Sequence, residues 1–287
     1  MNSVENLLQA AQGVLDQLAH WLPPVPPVLD WDTAVAFRWH RVGQSAYLQA
    51  LPQTGQLQFD DLQHILTQKA RLEQNTRQFV AGKPANNVLL TGARGTGKSS
   101  LIRACLHQFA AQGLRLVEID RSDLHDLPDL MQLLATRPER FIIFCDDLSF
   151  ETGDAAYKAL KVALDGSLVA QSERILIYAT SNRRHLMPEN MADNAGYQHD
   201  DKGDLHPGET VEERISLSER FGLWLSFYPF KQDDYLDIVA HWMRHYGCDQ
   251  TQIDAAREEA LQWALQRASR SGRVALQFAR DYAGRHA

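Results

Sequence analysis

The sequence predicts an α/β protein: a three-layer sandwich with a parallel five-stranded sheet, helices on both faces, and a small C-terminal helical lid. Three observations predict it. Short β-type runs alternate with helical ones between residues 60 and 230, the order that gives parallel strands joined by crossover helices. One of those runs passes into a helix through a glycine-rich turn, Gly92-Ala-Arg-Gly-Thr-Gly-Lys-Ser99. Beyond Lys231 the sheet signals stop, and helical patterns follow at about 232–246, 251–268 and 272–283.

In chain order, residues 4–22 place Val4, Leu7, Leu8, Ala11, Leu15, Leu18 and Leu22 at spacings of three and four, one face of an amphipathic helix. That face packs on its own protein or meets a partner or a second copy. Pro23, Pro24, Pro26 and Pro27 form a stiff spacer after it, which puts a boundary near residue 30. Residues 31–58 show no clear period, so residues 1–58 read as an N-terminal helical and mixed region. Asp60 to Phe79 is helical in pattern, with Leu62, Ile65, Leu66, Ala70, Leu72 and Phe79 recurring. The strand candidates are Val88–Thr91, Leu114–Ile119, Phe141–Cys145, Ile175–Thr180 and Leu223–Phe227, which make residues 59–230 the main domain and residues 231–287 the lid. Residues 189–213 carry eight acidic residues against one Lys, the composition of a solvated, mobile insertion.

Composition narrows the class. A chain of 287 residues with 44% hydrophobic and 23% charged residues can bury a sizeable core. A net charge of -7 argues against a broad basic surface for nucleic acid. A local patch stays open only in residues 251–287, where six Arg face four acidic residues, and a solvated helix face explains those charges as well. Cys105, Cys145 and Cys248 are an odd number without CxxC spacing, so they read as buried thiols rather than as disulfide or zinc ligands. No run approaches the ~18 apolar residues of a membrane span and no secretory leader pattern opens the chain. A cytoplasmic protein is expected.

The turn at Gly92 fills every fixed position of the P-loop pattern G-x-x-x-x-G-K-[ST], between a strand and a helix. In such a loop the backbone of Gly92, Ala93, Arg94, Gly95, Thr96, Gly97, Lys98, Ser99 and Ser100 curls around phosphates, and the helix N-terminus adds positive dipole. Lys98 neutralises β and γ oxygens of ATP, and Ser99 offers a hydroxyl to Mg²⁺. A second carboxylate site is needed for the metal. Phe141-Ile-Ile-Phe-Cys145 is an apolar strand ending in Asp146 and Asp147, a Walker B pattern in which Asp146 holds Mg²⁺ and Asp147 orients or deprotonates the attacking water. The same two acids also suit the cap of a following helix, and Glu151 is a rival base. Ala179-Thr-Ser-Asn182 closes the next strand; Asn182 either positions the water or ends a strand-to-loop turn.

GARGTGKS, FCDD, ATSN, SERFG at Ser218–Gly222 and SGRVA at Ser271–Ala275, in this order, resemble an AAA+ ATPase. With PANNVLL before the P-loop, DDLSFE and SERFGLWLSFYPF, the chain also resembles the bacterial family labelled domain of unknown function 815. The resemblance covers about residues 59–287 and leaves the first 58 aside. It implies an AAA+ type P-loop fold, ATP and Mg²⁺ as cofactors, and a homo-oligomer. By position it implies sensor 1 at Asn182, the arginine finger at Arg220 and sensor 2 at Arg273. For Arg220 an ion pair with Glu219 or Glu213 is the alternative, and Arg214 is a rival finger. Arg273 would alternatively be a surface residue. Asp147 stands where most AAA+ proteins have Glu, one methylene longer.

The function expected is an ATPase whose nucleotide state changes the angle between sheet domain and lid and so moves an unidentified protein partner or substrate. A slow or non-hydrolysing ATP-gated switch or loader is the alternative, which the short Asp147 favours. A small-molecule phosphotransferase fits the Asn182 and Arg220 spacing less well. A GTPase is disfavoured because no NKxD motif occurs. The eleven His show no metal-ligand spacing.

Overall fold

A computed structural model describes residues 11–13, 29–43, 45–51, 57–150, 154–165, 173–183, 186, 198–199, 205–206 and 217–286. The N-terminal amphipathic pattern lies outside these apart from residues 11–13, which are helical, and so does the proline spacer. The elements in chain order are β1 (Ala36–Val42), β2 (Ser45–Ala50), α1 (Leu66–Val80), β3 (Val88–Gly92), α2 (Lys98–Phe109), β4 (Leu114–Ile119), α3 (Leu127–Ala135) and β5 (Arg140–Cys145). They continue with α4 (Ala155–Asp165), β6 (Ile175–Ser181), β7 (Gln198–His199), β8 (Leu205–His206) and β9 (Leu223–Phe227). The helices α5 (Gln232–His245), α6 (Gln250–Ala255), α7 (Arg257–Gln266) and α8 (Gly272–His286) close the chain.

Successive side chains of a strand point to opposite faces, so a strand apolar at every position needs cover on both sides. Ile142 and Phe144 of β5 enter one core with Leu116 of β4, Val88 and Leu90 of β3 and Leu176 of β6. Phe141, Ile143 and Cys145 face the other with Val117, Leu89 and Ile177. Helices α1 and α2 cover the first face through Leu72, Phe79, Leu101, Leu106 and Phe109. Helices α3 and α4 cover the second through Leu127, Leu130, Leu134, Tyr157 and Leu160. The result is the three-layer sandwich that the sequence predicts.

The sheet has seven strands in the order β2-β1-β4-β5-β6-β3-β9. All five expected strands are present and parallel. Two more come from residues 36–50, a stretch without a recognisable period: β1 pairs parallel with β4, and β2 returns antiparallel to β1. Their pattern escapes notice because Arg38, His40 and Arg41 break the apolar run, while Phe37 and Trp39 bury one face only. Asp126 anchors this hairpin by accepting from Trp39 Nε1 and Arg41 Nε, both at 2.9 Å.

The helix expected over Asp60–Phe79 is two pieces. A 3-10 turn covers Phe59–Asp61, α1 starts only at Leu66, and between them His64 adopts a left-handed φ of 59°. The lid has four helices rather than three, since its middle pattern breaks at Ala256 between α6 and α7. The lid core is continuous with the first face of the sandwich through Phe59, Leu62, Ile65, Phe230, Tyr235 and Ile238. Most of the 189–213 insertion lies outside the described residues; the strands β7 and β8 within it pair antiparallel. Cys105 and Cys145 are buried as expected, whereas Cys248 is half-buried. Among the described residues no helix is long and apolar enough to cross a membrane.

Candidate functional site

The sheet order brings three strand ends together. Thr91 of β3 stands opposite Ser181 of β6, and Cys145 of β5 opposite Ala179 of β6, so the residues that follow each strand emerge side by side. The chain leaving β3 crosses over β6 and β5 to reach β4, while the chain leaving β6 goes the other way to β9. Neighbouring strands whose connections diverge open a crevice at their carboxyl ends.

The turn after β3 lies in this crevice, and its glycines are needed for space as well as conformation. Gly92 has φ 126°, and a Cβ there would sit 1.9 Å from the Phe227 carbonyl oxygen. Gly95 has φ 72°, and a Cβ there would come within 2.7 Å of Ser271 Oγ at the edge of the lid. Gly97 starts α2 without a side-chain cap bond, which leaves the helix N-terminus to an anion. Thr96, buried, donates to the Ala93 carbonyl at 2.8 Å and closes the loop on itself.

Lys98 is only 6% exposed. Its ammonium donates to the carbonyls of Gly92 at 2.8 Å and Ala93 at 2.7 Å, and to Asn182 Oδ1 at 3.0 Å. Burial is the main cause that lowers its pKa to about 8; Asp147 and Asp146 oppose the shift, and Arg273 and Arg94 add to it. Asp146 Oδ1 gathers three hydrogen bonds, from Ser99 Oγ at 2.6 Å, from Thr180 Oγ1 at 2.6 Å and from the Asp147 amide at 3.1 Å. Asp147 has a left-handed φ of 51°, and its amide also donates to Thr180 Oγ1 at 2.9 Å. Its carboxylate accepts a hydrogen bond from the Asn182 amide. Asn182 thus links Lys98 to Asp147.

These groups line one cleft of about 520 Å³ between the sheet and the lid. Its polar end holds Arg94 to Ser100, Asp146, Asp147, Asn182 and Arg273, the last at the start of α8. Its apolar end is built from Leu57, Leu62 and Ile65 before α1 and from Ile238, Trp242 and Leu276 of the lid. A cleft lined by both anion-binding groups and apolar side chains suits a nucleotide. The paired oxygens of Ser99 and Asp146 suit a hard cation that takes oxygen ligands. Among the described residues no group of three or more His, Cys, Asp or Glu is placed to hold a metal by itself.

Arg220 is elsewhere. It precedes β9 and pairs with Asp165 at the end of α4. It lines a second cleft of about 570 Å³ with Lys83, Asn86, Asn87 and Glu219, at the amino ends of the strands. Glu151, Glu213 and Arg214 lie outside the described residues. Three features of the site are absent from the sequence reading. Thr180 lies in the ATSN cluster, but its place between both aspartates depends on the register of β5 and β6. Arg103, five residues past Lys98 on α2, lines the cleft while paired to Glu118 at 3.2 Å. The apolar lining comes from two segments more than 170 residues apart in the chain, Leu62 and Trp242 among them, and only folding unites them.

A family model described as "Protein of unknown function (DUF815)" matches residues 32–286. The match starts well before the motif-bearing region and takes in β1 and β2. None of the curated proteins matches the chain. Among solved structures, one single-residue variant of Thermotoga maritima RuvB is similar with TM-score 0.52 and 16% identity, over 78% of this chain and 63% of that one. A second variant gives TM-score 0.51 and 15% identity over the same shares. Aeropyrum pernix Orc1, solved in complex with DNA, gives TM-score 0.51 and 16% identity over 74% of this chain and 57% of that one. The chain therefore spans less than two thirds of these structures, and at such identity the likeness is one of fold, the AAA+ type.

Proposed function

The chain belongs to the family described as protein of unknown function DUF815, and on that footing we propose that it binds Mg·ATP in the cleft between sheet and lid and hydrolyses it to act on a protein partner. One observation carries the reading: the P-loop, Lys98, the Ser99–Asp146 pair, Asp147, Asn182 and Arg273 all line a single cleft. Lys98 and Arg273 would offset phosphate charge, with Lys98 turning from the loop carbonyls to the phosphate oxygens. Asp147 would orient or deprotonate the attacking water, and Asn182, already bonded to both Asp147 and Lys98, would hold that water in line. Ser99 and Asp146 would hold Mg²⁺, whose chemistry is to neutralise charge that develops on the β and γ oxygens. The apolar slot would take the base; the lack of an NKxD motif favours adenine over guanine.

The lid, residues 231–287, supplies Arg273 and the Trp242 wall of the slot, so nucleotide bridges it to the main domain, and loss of the γ-phosphate would change how the two meet. The proposal includes a homo-oligomer, as the resemblance to AAA+ proteins implies, with Arg220 acting on a neighbour's ATP. The partner is more simply a protein than a nucleic acid. The chain is acidic overall, and two lid arginines are engaged within it: Arg285 with Glu259 and Asp281, Arg267 over the Trp263 ring. A cytoplasmic location is part of the same proposal.

A second reading, a slow ATP-gated switch or loader, is favoured by the short Asp147 side chain and its engagement by Asn182. Steady-state turnover and calorimetric binding of ATP, each with and without Mg²⁺, test the proposal. Binding that Lys98→Ala leaves unchanged refutes the site. Binding without turnover at any protein concentration leaves the switch.

A further inference from the structure

Asp147 poses a geometric problem that its neighbours resolve. Asp147 is one methylene shorter than the Glu most AAA+ proteins carry here, and its backbone adopts a left-handed φ of 51°, a conformation that Asp adopts more readily than most residues and that hydrogen bonds to its neighbours hold. One hydroxyl links the turn to both aspartates. Thr180 Oγ1 accepts the Asp147 amide at 2.9 Å and donates to Asp146 Oδ1 at 2.6 Å. Thr180 is 1% exposed on β6, a strand held in register with β5 up to Cys145. A second bond from the same segment fixes the turn: the Leu148 amide donates to the Thr180 carbonyl at 2.7 Å.

We propose that Thr180 is a positioning residue that sets Asp146 and Asp147 as one unit. Through its donated bond it aims Asp146 at Ser99, the other oxygen assigned to the metal. Through its accepted bond it holds the Asp147 backbone in the conformation that lets the shorter carboxylate reach Asn182. Groups that orient a metal's ligands in this way commonly matter by ~10–100-fold in metal affinity or activity. The inference rests on the Mg·ATP reading of the cleft, and its test separates the two.

The full chain and its variants Thr180→Val, Thr180→Ala and Thr180→Ser are compared after thermal unfolding has checked that each folds. Two quantities are read: the gain in ADP affinity on adding Mg²⁺, by calorimetry, and kcat and KM for ATP. Thr180→Val keeps the β-branched shape and removes the hydroxyl. It is expected to lose most of the Mg²⁺-dependent gain, to raise KM for Mg·ATP by a similar factor and to lower kcat ~10-fold or more, while ADP affinity without Mg²⁺ changes less than about threefold. Thr180→Ala repeats the deletion should the valine variant fail to fold, and Thr180→Ser is expected to restore both readouts. A hydroxyl-free variant that keeps the Mg²⁺-dependent gain overturns the proposal, as does a serine variant as impaired as alanine, or a wild-type protein with no such gain. Wild type that shows the gain but no turnover refutes hydrolysis while the metal readout still decides the role of Thr180.

Discussion

At the scale of single residues the site depends on charges held out of water. Burial lowers the Lys98 ammonium to about 8, and phosphate favours its charged form. Below about pH 7 the free protein already carries the charge, so nucleotide affinity should be steady. Above about 8 the free form loses its proton, binding must take one up, and affinity is expected to fall by up to ~tenfold per pH unit. Calorimetry in buffers of different ionisation heat reads that proton directly; affinity that rises with pH would contradict the assignment. If Asp147 is the base, Asp147→Asn removes it but leaves Asp146 and Ser99 in place, so Mg·ATP binding should survive while turnover falls by ~10²-fold or more. Glu151→Gln is the control, and a loss confined to that variant moves the base to Glu151.

Among the elements, the strand-turn-helix after β3 is the least tolerant. An alanine at Gly92 meets the Phe227 carbonyl at 1.9 Å in addition to a positive φ, whereas at Gly97 the nearest atoms are the ends of Ile65 and Leu62, both at 3.5 Å. Gly92→Ala should therefore cost about 3 kcal/mol or more, and Gly97→Ala only the ~1–2 kcal/mol of its left-handed backbone. Denaturant unfolding measures both, and equal costs would show that the β9 contact yields. The lid meets the main domain through histidine–aspartate contacts as well as through the apolar packing of the core. His64 lies 3.1 Å from Asp234 and 3.3 Å from Asp237 of α5, and His241 3.4 Å from Asp61. His64→Ala should loosen this strap and speed nucleotide release, which the fluorescence of Trp242 in the cleft wall reports. An unchanged release rate would leave the apolar packing of Leu62, Ile65 and Phe230 as what holds the lid.

For the whole molecule the question is whether one chain suffices. Arg220, at the amino ends of the strands, cannot serve the cleft at their carboxyl ends within its own chain. If it acts on a neighbour, Arg220→Ala should lower turnover by ~10³-fold or more and spare ATP affinity, since a finger acts on transition-state charge. Mixing it with Lys98→Ala should recover some activity, one variant supplying the site and the other the arginine. Asp165→Ala discriminates further. It breaks the Arg220–Asp165 pair without removing the guanidinium, so a finger tolerates it, and a loss of turnover as large as that of Arg220→Ala would favour a structural role for the pair. Turnover per chain that does not depend on concentration, together with no recovery on mixing, would refute the finger.

The sequence alone determined what neighbouring residues encode: five buried strands, because their apolar runs need cover on both faces, and the P-loop, because eight consecutive residues fix a backbone path and its chemistry. It also placed Asp146, Asp147 and Asn182 at strand ends, which became one site once β5, β6 and β3 lay adjacent. Only the tertiary structure decided what depends on sheet order and register. That includes the Thr180 hydroxyl between two aspartates, the pairing of Arg220 with a residue 55 positions away, and the slot closed by Leu62 on one side and Trp242 on the other. The strands β1 and β2 belong there too: their half-polar pattern becomes a sheet edge only because β4 offers a partner. Local spacing specifies backbone and chemistry within a segment, whereas contacts between distant segments are chosen by which packed arrangement buries the most apolar surface with its polar groups paired.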